Sequence, residues 1–209
     1  MRVLKGEKGY ALLYFAFLLP VLVIVAAWAL DFTRIRLVKD QLWAACDAAA
    51  HAGAMEAKLV PGEVEQRVVT GPDGKPQRVE TRVKWYRLLL DENAARQKAW
   101  EVFFKNAQDH GWMVDVTGSP SSPRGVFVPS GCFRTEAGSS TGRPDVQQDL
   151  YTVSAEARVR TYLVAGAVRL AEALSGRTDP ARDYLKRGEV AVAATATAKV
   201  RVSGVKVGP

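Results

Sequence analysis

Two residue types that build reactive sites are scarce in this chain. Its 209 residues include two cysteines, Cys46 and Cys132, and two histidines, His51 and His110. Two thiols with two scattered imidazoles do not compose a metal-binding set. Zinc-finger spacing and a basic helix are also missing. The net charge of +7 comes from basic residues interspersed with acidic ones, so no nucleic-acid partner is expected. Asp47 and His51 stand one helical turn apart and can pair, but no nucleophile or third group accompanies them. An aspartic-protease reading needs a second aspartate loop, which is missing. The chain is therefore not expected to be an enzyme, and no cofactor is expected.

Charge is missing altogether from one stretch. Residues 10–30 read YALLYFAFLLPVLVIVAAWAL, 21 residues without an ionisable acid or base of the Asp, Glu, Lys or Arg type. At about 1.5 Å per residue, a helix of this length just crosses a hydrocarbon layer roughly 30 Å thick. No other segment is apolar enough to enclose it as a core helix. A cleaved secretory signal fits poorly, because signal cores are shorter and Trp28 to Asp31 runs at once into a charged helical pattern. A retained membrane anchor is the expectation. Arg2, Lys5 and Lys8 precede the run, while Arg34, Arg36 and Lys39 follow it, so charge alone does not orient it. The short basic head is easier to retain than the long remainder. Residues 1–9 are expected in the cytoplasm and the bulk outside.

Beyond Leu30 the apolar residues Ile35, Val38, Leu42, Ala45, Ala49 and Ala52 recur three and four apart, one stripe of an amphipathic helix. Residues 10–57 thus read as one helix of some 48 residues, half in lipid and half beyond it. Pro20 should kink or open it locally, and Pro61-Gly62 should end it. The tract AACDAAAHAGA, residues 44–54, lets another element approach closely or simply reflects the helix propensity of alanine.

Residues 58–209 are expected to form one exterior α+β domain, its antiparallel sheet laid on the exterior half of the long helix. Residues 62–91 read as a hairpin about the turn Gly71-Pro72-Asp73-Gly74, with Leu88 to Leu90 either a buried strand end or the lead into a helix. Residues 91–110 read as a helix capped by Asp91, with Ala95, Ala99, Val102, Phe103 and Ala107 inward and Gly111 after it. A short strand covers 112–117. Asp115, Thr117 and Ser119 in DVTGSPSS resemble a von Willebrand factor A metal loop. Pro120, Pro123 and Gly125 stand where that fold needs a helix, so no metal is expected. Residues 118–145 are rich in Gly, Pro, Ser and Thr, and read as a long irregular loop with a short strand at 126–128, the preferred partner-facing segment. Alternation predicts a strand over 150–159, a helix follows over 161–174 and ends at Ser175-Gly176, and Asp179-Pro180 starts a brief turn or helix through Leu185. A long strand over 189–202 closes the chain.

Outside a membrane, one disulfide between Cys46 and Cys132 is permitted. Alternatively Cys46 is a small buried residue, like its alanine neighbours.

The residues now assembled carry a resemblance. Lys8-Gly9, Leu19-Pro20, Asp31-Phe32-Thr33-Arg34 and the run from Leu42 through Ala45, Asp47 and Ala49 to Ala50 resemble the N-terminal pattern of Tad (tight adherence) pilus-assembly proteins of the TadE and TadG-like group. The resemblance covers about residues 6–54. It implies a pilin-like structural or assembly component of a Tad/Flp pilus or a related secretion machine. It also implies an inner-membrane location, with other Tad pilins, assembly-platform proteins and membrane lipid as partners. Pseudopilins of the family are cut by a prepilin peptidase after a Gly and carry Glu at the fifth position of the mature chain. Here Gly9 would be the cleavage residue, Tyr10 the new terminus, and Tyr14 stands where the Glu would be. TadG-like proteins commonly lack that Glu. Asp31 and Arg34 would mark the membrane edge, either as a local ion pair or as solvated charges. The other reading of the chain is an anchored surface adhesin, binding through residues 118–145 outside any pilus.

Overall fold

The computed structural model describes residues 7–70, 72–73, 75–114, 124–175, 185, 187–205 and 207–208. The expected turn residues Gly71 and Gly74, the Asp115, Thr117 and Ser119 loop, the helix stop at Gly176 and the Asp179-Pro180 turn lie outside them. The fold is α+β. In order it comprises helix α1 (Glu7–Ala54), strands β1 (Ala57–Thr70) and β2 (Pro76–Leu90), helix α2 (Glu92–Asp109), strands β3 (Met113–Val114), β4 (Val126–Val128), β5 (Arg134–Gly138) and β6 (Leu150–Arg160), helix α3 (Val164–Ser175) and strand β7 (Glu189–Lys199). The chain divides into two compact units, one of residues 1–40 and 158–192, the other of residues 41–157 and 193–209.

Helix α1 is 48 residues long and continues on both sides of Pro20. It stops at Ala54, earlier than expected, with Met55 and Glu56 in a turn closed by N–H bonds to the His51 and Gly53 carbonyls. Pro61-Gly62 is not the stop. Both residues lie inside β1, at a register shift between Pro61 and Glu63. A Cβ on Gly62 would run into the ring of Trp85 on the facing strand, so glycine at this bulge lets the indole lie across the backbone.

Strands β1 and β2 pair antiparallel from Ala57↔Leu90 outward as the expected hairpin. Leu88 and Leu90 are buried, making 88–90 a strand end. The hairpin base is tied to the loop ahead of β6: Leu88 N–H donates to the Val146 carbonyl, Gln148 N–H to the Leu88 carbonyl, and Leu90 N–H to Gln148 Oε1. Farther out the ribbon is exposed on both faces. Val64 pairs with Val83 and Val68 with Val79 on one side, while Glu65–Arg82 and Arg67–Glu80 pair on the other.

Asp91 caps α2, its carboxylate accepting from Ala94 N–H at 3.2 Å, and Ala95, Ala99, Phe103 and Ala107 are buried along one face. Gly111 follows the helix at φ +68°. The second sheet has β6 at its centre, paired with β4, β5 and β7. Strand β3 runs parallel to β4 whereas β5 runs antiparallel to β6, so this sheet is mixed, not wholly antiparallel. Residues 118–145 are also less irregular than expected, since besides β4 they hold β5. That strand has no alternating pattern of its own. It forms because Thr135 and Ala137 register opposite Val153 and Tyr151 of β6, and because Phe133 just before it closes on Trp100 and Phe103 of α2, at centroid distances of 5.1 and 5.0 Å.

Period-2 burial is strict in β6, where Tyr151, Val153, Ala155, Ala157 and Val159 point inward, and holds in β7 from Ala191 on, where Val192, Ala194, Ala196 and Ala198 do. On their polar sides Thr152 meets Thr197 and Thr195 donates to Ser154, at 2.9 and 3.1 Å.

Candidate functional site

The features that set this chain apart lie along α1. From Leu12 to Leu30 its large apolar side chains are exposed, Tyr14 reaching 74 %. This helix is long and apolar enough to cross a membrane. Tyr10 is exposed too, as are Pro20 and Phe32. Gly9, where the family likeness would place peptidase cleavage, is helical.

The pattern inverts past residue 30. Val38, Leu42, Ala45, Cys46, Ala49, Ala50 and Ala54 are buried. The expected stripe is therefore present but wider, since Cys46, Ala50 and Gly53 join it while Ile35 and Ala52 are only half-buried. In the unit that contains residues 41–54, close approach is what the small residues provide. The Cys46 thiol donates to the Ala194 carbonyl of β7 at 3.9 Å. The Tyr151 ring of β6 occupies the space a side chain on Gly53 would need. Asp47 and His51 face outward, 3.8 Å apart, and are screened by water.

Cys46 and Cys132 are not joined, so the permitted disulfide is not formed. Cys46 takes the other role, a small buried residue. Burial pushes its thiol up to about 12, an effect that a backbone hydrogen bond with Ala155 only partly offsets, so the thiolate that would make it reactive is suppressed.

Asp31, the first charged residue after the apolar run, is 4 % exposed. Its carboxylate accepts Tyr162 N–H at 2.9 and 3.0 Å, one bond to each oxygen, and Leu163 N–H at 2.9 Å. Buried carboxylates persist only when hydrogen-bonded in this way. The acceptor meets the N–H groups just ahead of α3, the end of a helix that favours negative charge. Thr161 fixes the same turn, its hydroxyl donating to the Gly188 carbonyl at 2.8 Å. These partners were not visible in the sequence. A carboxylate directly after an uncharged run signals a need for compensation, but nothing local says that residues 162 and 163 supply it.

A second polar knot holds the other unit. Buried Asp149 accepts from the Ser140 hydroxyl, from Ser140 N–H at 2.7 Å and from Gln147 Nε2 at 3.0 Å, with Lys199 Nζ at 3.5 Å. Burial alone would push its carboxyl up. The Ser140 hydrogen bonds and the Lys199 charge outweigh it and hold the group below the usual range. Among the described residues no group of three or more His, Cys, Asp or Glu side chains could hold a metal ion.

The geometry is thus that of a helix with an exposed apolar half and a second half buried along one small-residue face. No curated protein and no solved structure matches the chain. Residues 9–56, nearly the whole of that helix, match the Tad family model, described as putative Flp pilus-assembly TadE/G-like, a likeness that supports a pilus-related role.

Proposed function

We propose that this protein is a pilin-like structural or assembly component of a Tad/Flp-type pilus or a related secretion machine, held in the inner membrane by residues 10–30. In this reading residues 1–9 are cytoplasmic and the remainder is exterior. The observation that carries it is the inversion of α1, bare where it is uncharged and buried along one face from Val38 onward. A bare apolar helix must be covered by lipid or by other helices. Lipid and the helices of other pilus proteins are the natural cover for a chain of this family likeness. The Val38–Ala54 part then holds the folded portion to its anchor. No chemistry is required of it.

Gly9, Tyr10 and Tyr14 decide which kind of component it is. A filament subunit carrying a buried terminal amine gains from a carboxylate beside it, and Tyr14 supplies none. The reading therefore leans to an unprocessed, TadG-like factor. Mass spectrometry of sheared surface filaments and of the membrane fraction tests it. Membrane-confined protein that retains residues 1–9 is the expected result. A filament-borne peptide beginning at Tyr10 would make it a processed minor pilin and a substrate of prepilin peptidase. Abundant surface protein in cells lacking other pilus components would favour the adhesin reading instead.

A further inference from the structure

Helix α3 leaves an apolar stripe exposed. Ala167, Leu170, Ala171 and Leu174 are exposed along one helical stripe, which half-buried Leu163 leads into. The residues that are half-buried, Val164, Ala165, Val168 and Glu172, lie on a neighbouring face. Leu170 is 62 % and Leu174 81 % exposed, and no residue of the helix is buried. A water-facing helix ordinarily turns such a stripe inward.

Its position explains the uncovered stripe. The turn ahead of α3 is pinned to Asp31 through the Tyr162 and Leu163 N–H groups. Asp31 is the residue at which the uncharged run ends. Tyr162, 73 % exposed, therefore stands at the level where the span ends. Trp28 and Phe32 of α1 stack on each other at the same level, their ring centroids 6.0 Å apart. Tyr and Trp concentrate where hydrocarbon meets headgroups. An open, almost wholly apolar groove of about 230 Å³ runs between these rings and Leu163, Val164 and Ala167. Arg34, Arg36 and Lys39 follow on α1, and Arg160 and Arg169 flank or lie on α3, a basic surround suited to anionic headgroups. At 12 residues α3 is about 18 Å long, too short to span.

We propose that α3 is an interfacial helix, lying in the outer boundary of the same bilayer with its Leu170 and Leu174 stripe in the acyl region and Arg169 toward water. The proposal rests on the reading that residues 10–30 span the membrane. Asp31 then does more than satisfy its own burial: it fixes the level at which this second contact enters the lipid. An amphipathic helix of this kind adds membrane attachment to a single span and limits how the span can turn about its axis.

The test uses the full chain reconstituted in phosphatidylethanolamine/phosphatidylglycerol vesicles, with Cys132→Ser removing the more accessible native thiol. Single cysteines at Val23, Arg169, Leu170 and Leu174 carry an environment-sensitive fluorophore. Quenching by acyl-chain spin labels is compared with quenching by aqueous iodide. The expected result is strong lipid quenching at Val23, Leu170 and Leu174, at least about twofold above that at Arg169, which iodide should reach instead. Lipid quenching at Val23 with iodide access at Leu170 and Leu174 would overturn the interfacial helix and leave the anchor standing. Iodide access at Val23 would overturn both. Labels at Leu170 and Leu174 shielded from both quenchers would assign the stripe to a second copy of the chain, and would also overturn the proposal.

Discussion

Gly53 and Tyr151 occupy a single space: the Tyr151 ring lies where a β-carbon on Gly53 would have to be. The contact joins the last turn of α1 to the start of β6, and its tightness fixes what position 53 can hold. Gly53→Ala is expected to destabilise the protein by about 1–3 kcal/mol, since ring and helix must separate. Gly166→Ala in α3 meets open space and should be neutral or stabilising by up to about 1 kcal/mol. Thermal or urea unfolding of the detergent-solubilised chain checks both. Equal stability of the two variants would refute the close contact.

Asp31 is expected to protect two specific amides. With Asp31→Ala, Tyr162 and Leu163 N–H lose their acceptor, at a cost of about 1–3 kcal/mol for groups left unsatisfied. Hydrogen exchange at these two amides should quicken by roughly 10- to 100-fold. Asp31→Asn retains one acceptor oxygen and should fall between. Unchanged exchange in the alanine variant would show that the bonds contribute nothing.

Cys46 should resist alkylation in the folded chain. Its thiol titrates near 12 when folded against 9.0 for an ordinary thiol. The unfolded chain therefore ionises first, and the contribution of Cys46 to stability, complete below pH 9.0, fades as pH rises toward about 12. Maleimide labelling at pH 8 should be slow until denaturant is added. Rapid labelling of native Cys46 would contradict its burial.

Acid acts on Asp149 in the opposite sense. Its carboxyl is held below the ordinary 3.8 by Ser140 and Lys199, which outweigh burial. That stabilisation is present above pH 3.8 and disappears as pH falls through the lower, folded value. Lys199→Met removes the cation 3.5 Å away, so the Asp149 carboxyl should rise and acid unfolding begin at higher pH. An acid transition identical to that of the unaltered protein would show that Lys199 has no part in it.

What could be read in advance follows physical range. The uncharged run of α1, the alternation in β6 and β7 and the stripe of α2 are local patterns, and each appears in the structure, β7 stopping at Lys199 short of the expected residue 202. The end of α1 was misplaced because Pro61-Gly62 has the chemistry of a helix stop, yet serves a bulge that only Trp85 on the facing strand explains. Strand β5, reading RTEAG, has no periodicity and owes its form to β6. The stripe of α3 was legible, but not that it would remain uncovered. At the candidate site, Asp31 was recognisable from its family pattern and its place after the apolar run, whereas its partners were not, being set by tertiary structure.

The Asp31 carboxylate and its partner amides are separated by 131 residues of chain. That separation has a consequence in time. A ribosome finishes α1 long before it reaches Tyr162, so the carboxylate must wait while some three-fifths of the protein is made. Contacts of this sequence span form late, after local helices and hairpins. Helix α1 therefore starts its life with Asp31 still lacking these two partners, and the burial of Asp31 records that the later part of the chain has arrived and folded beside it.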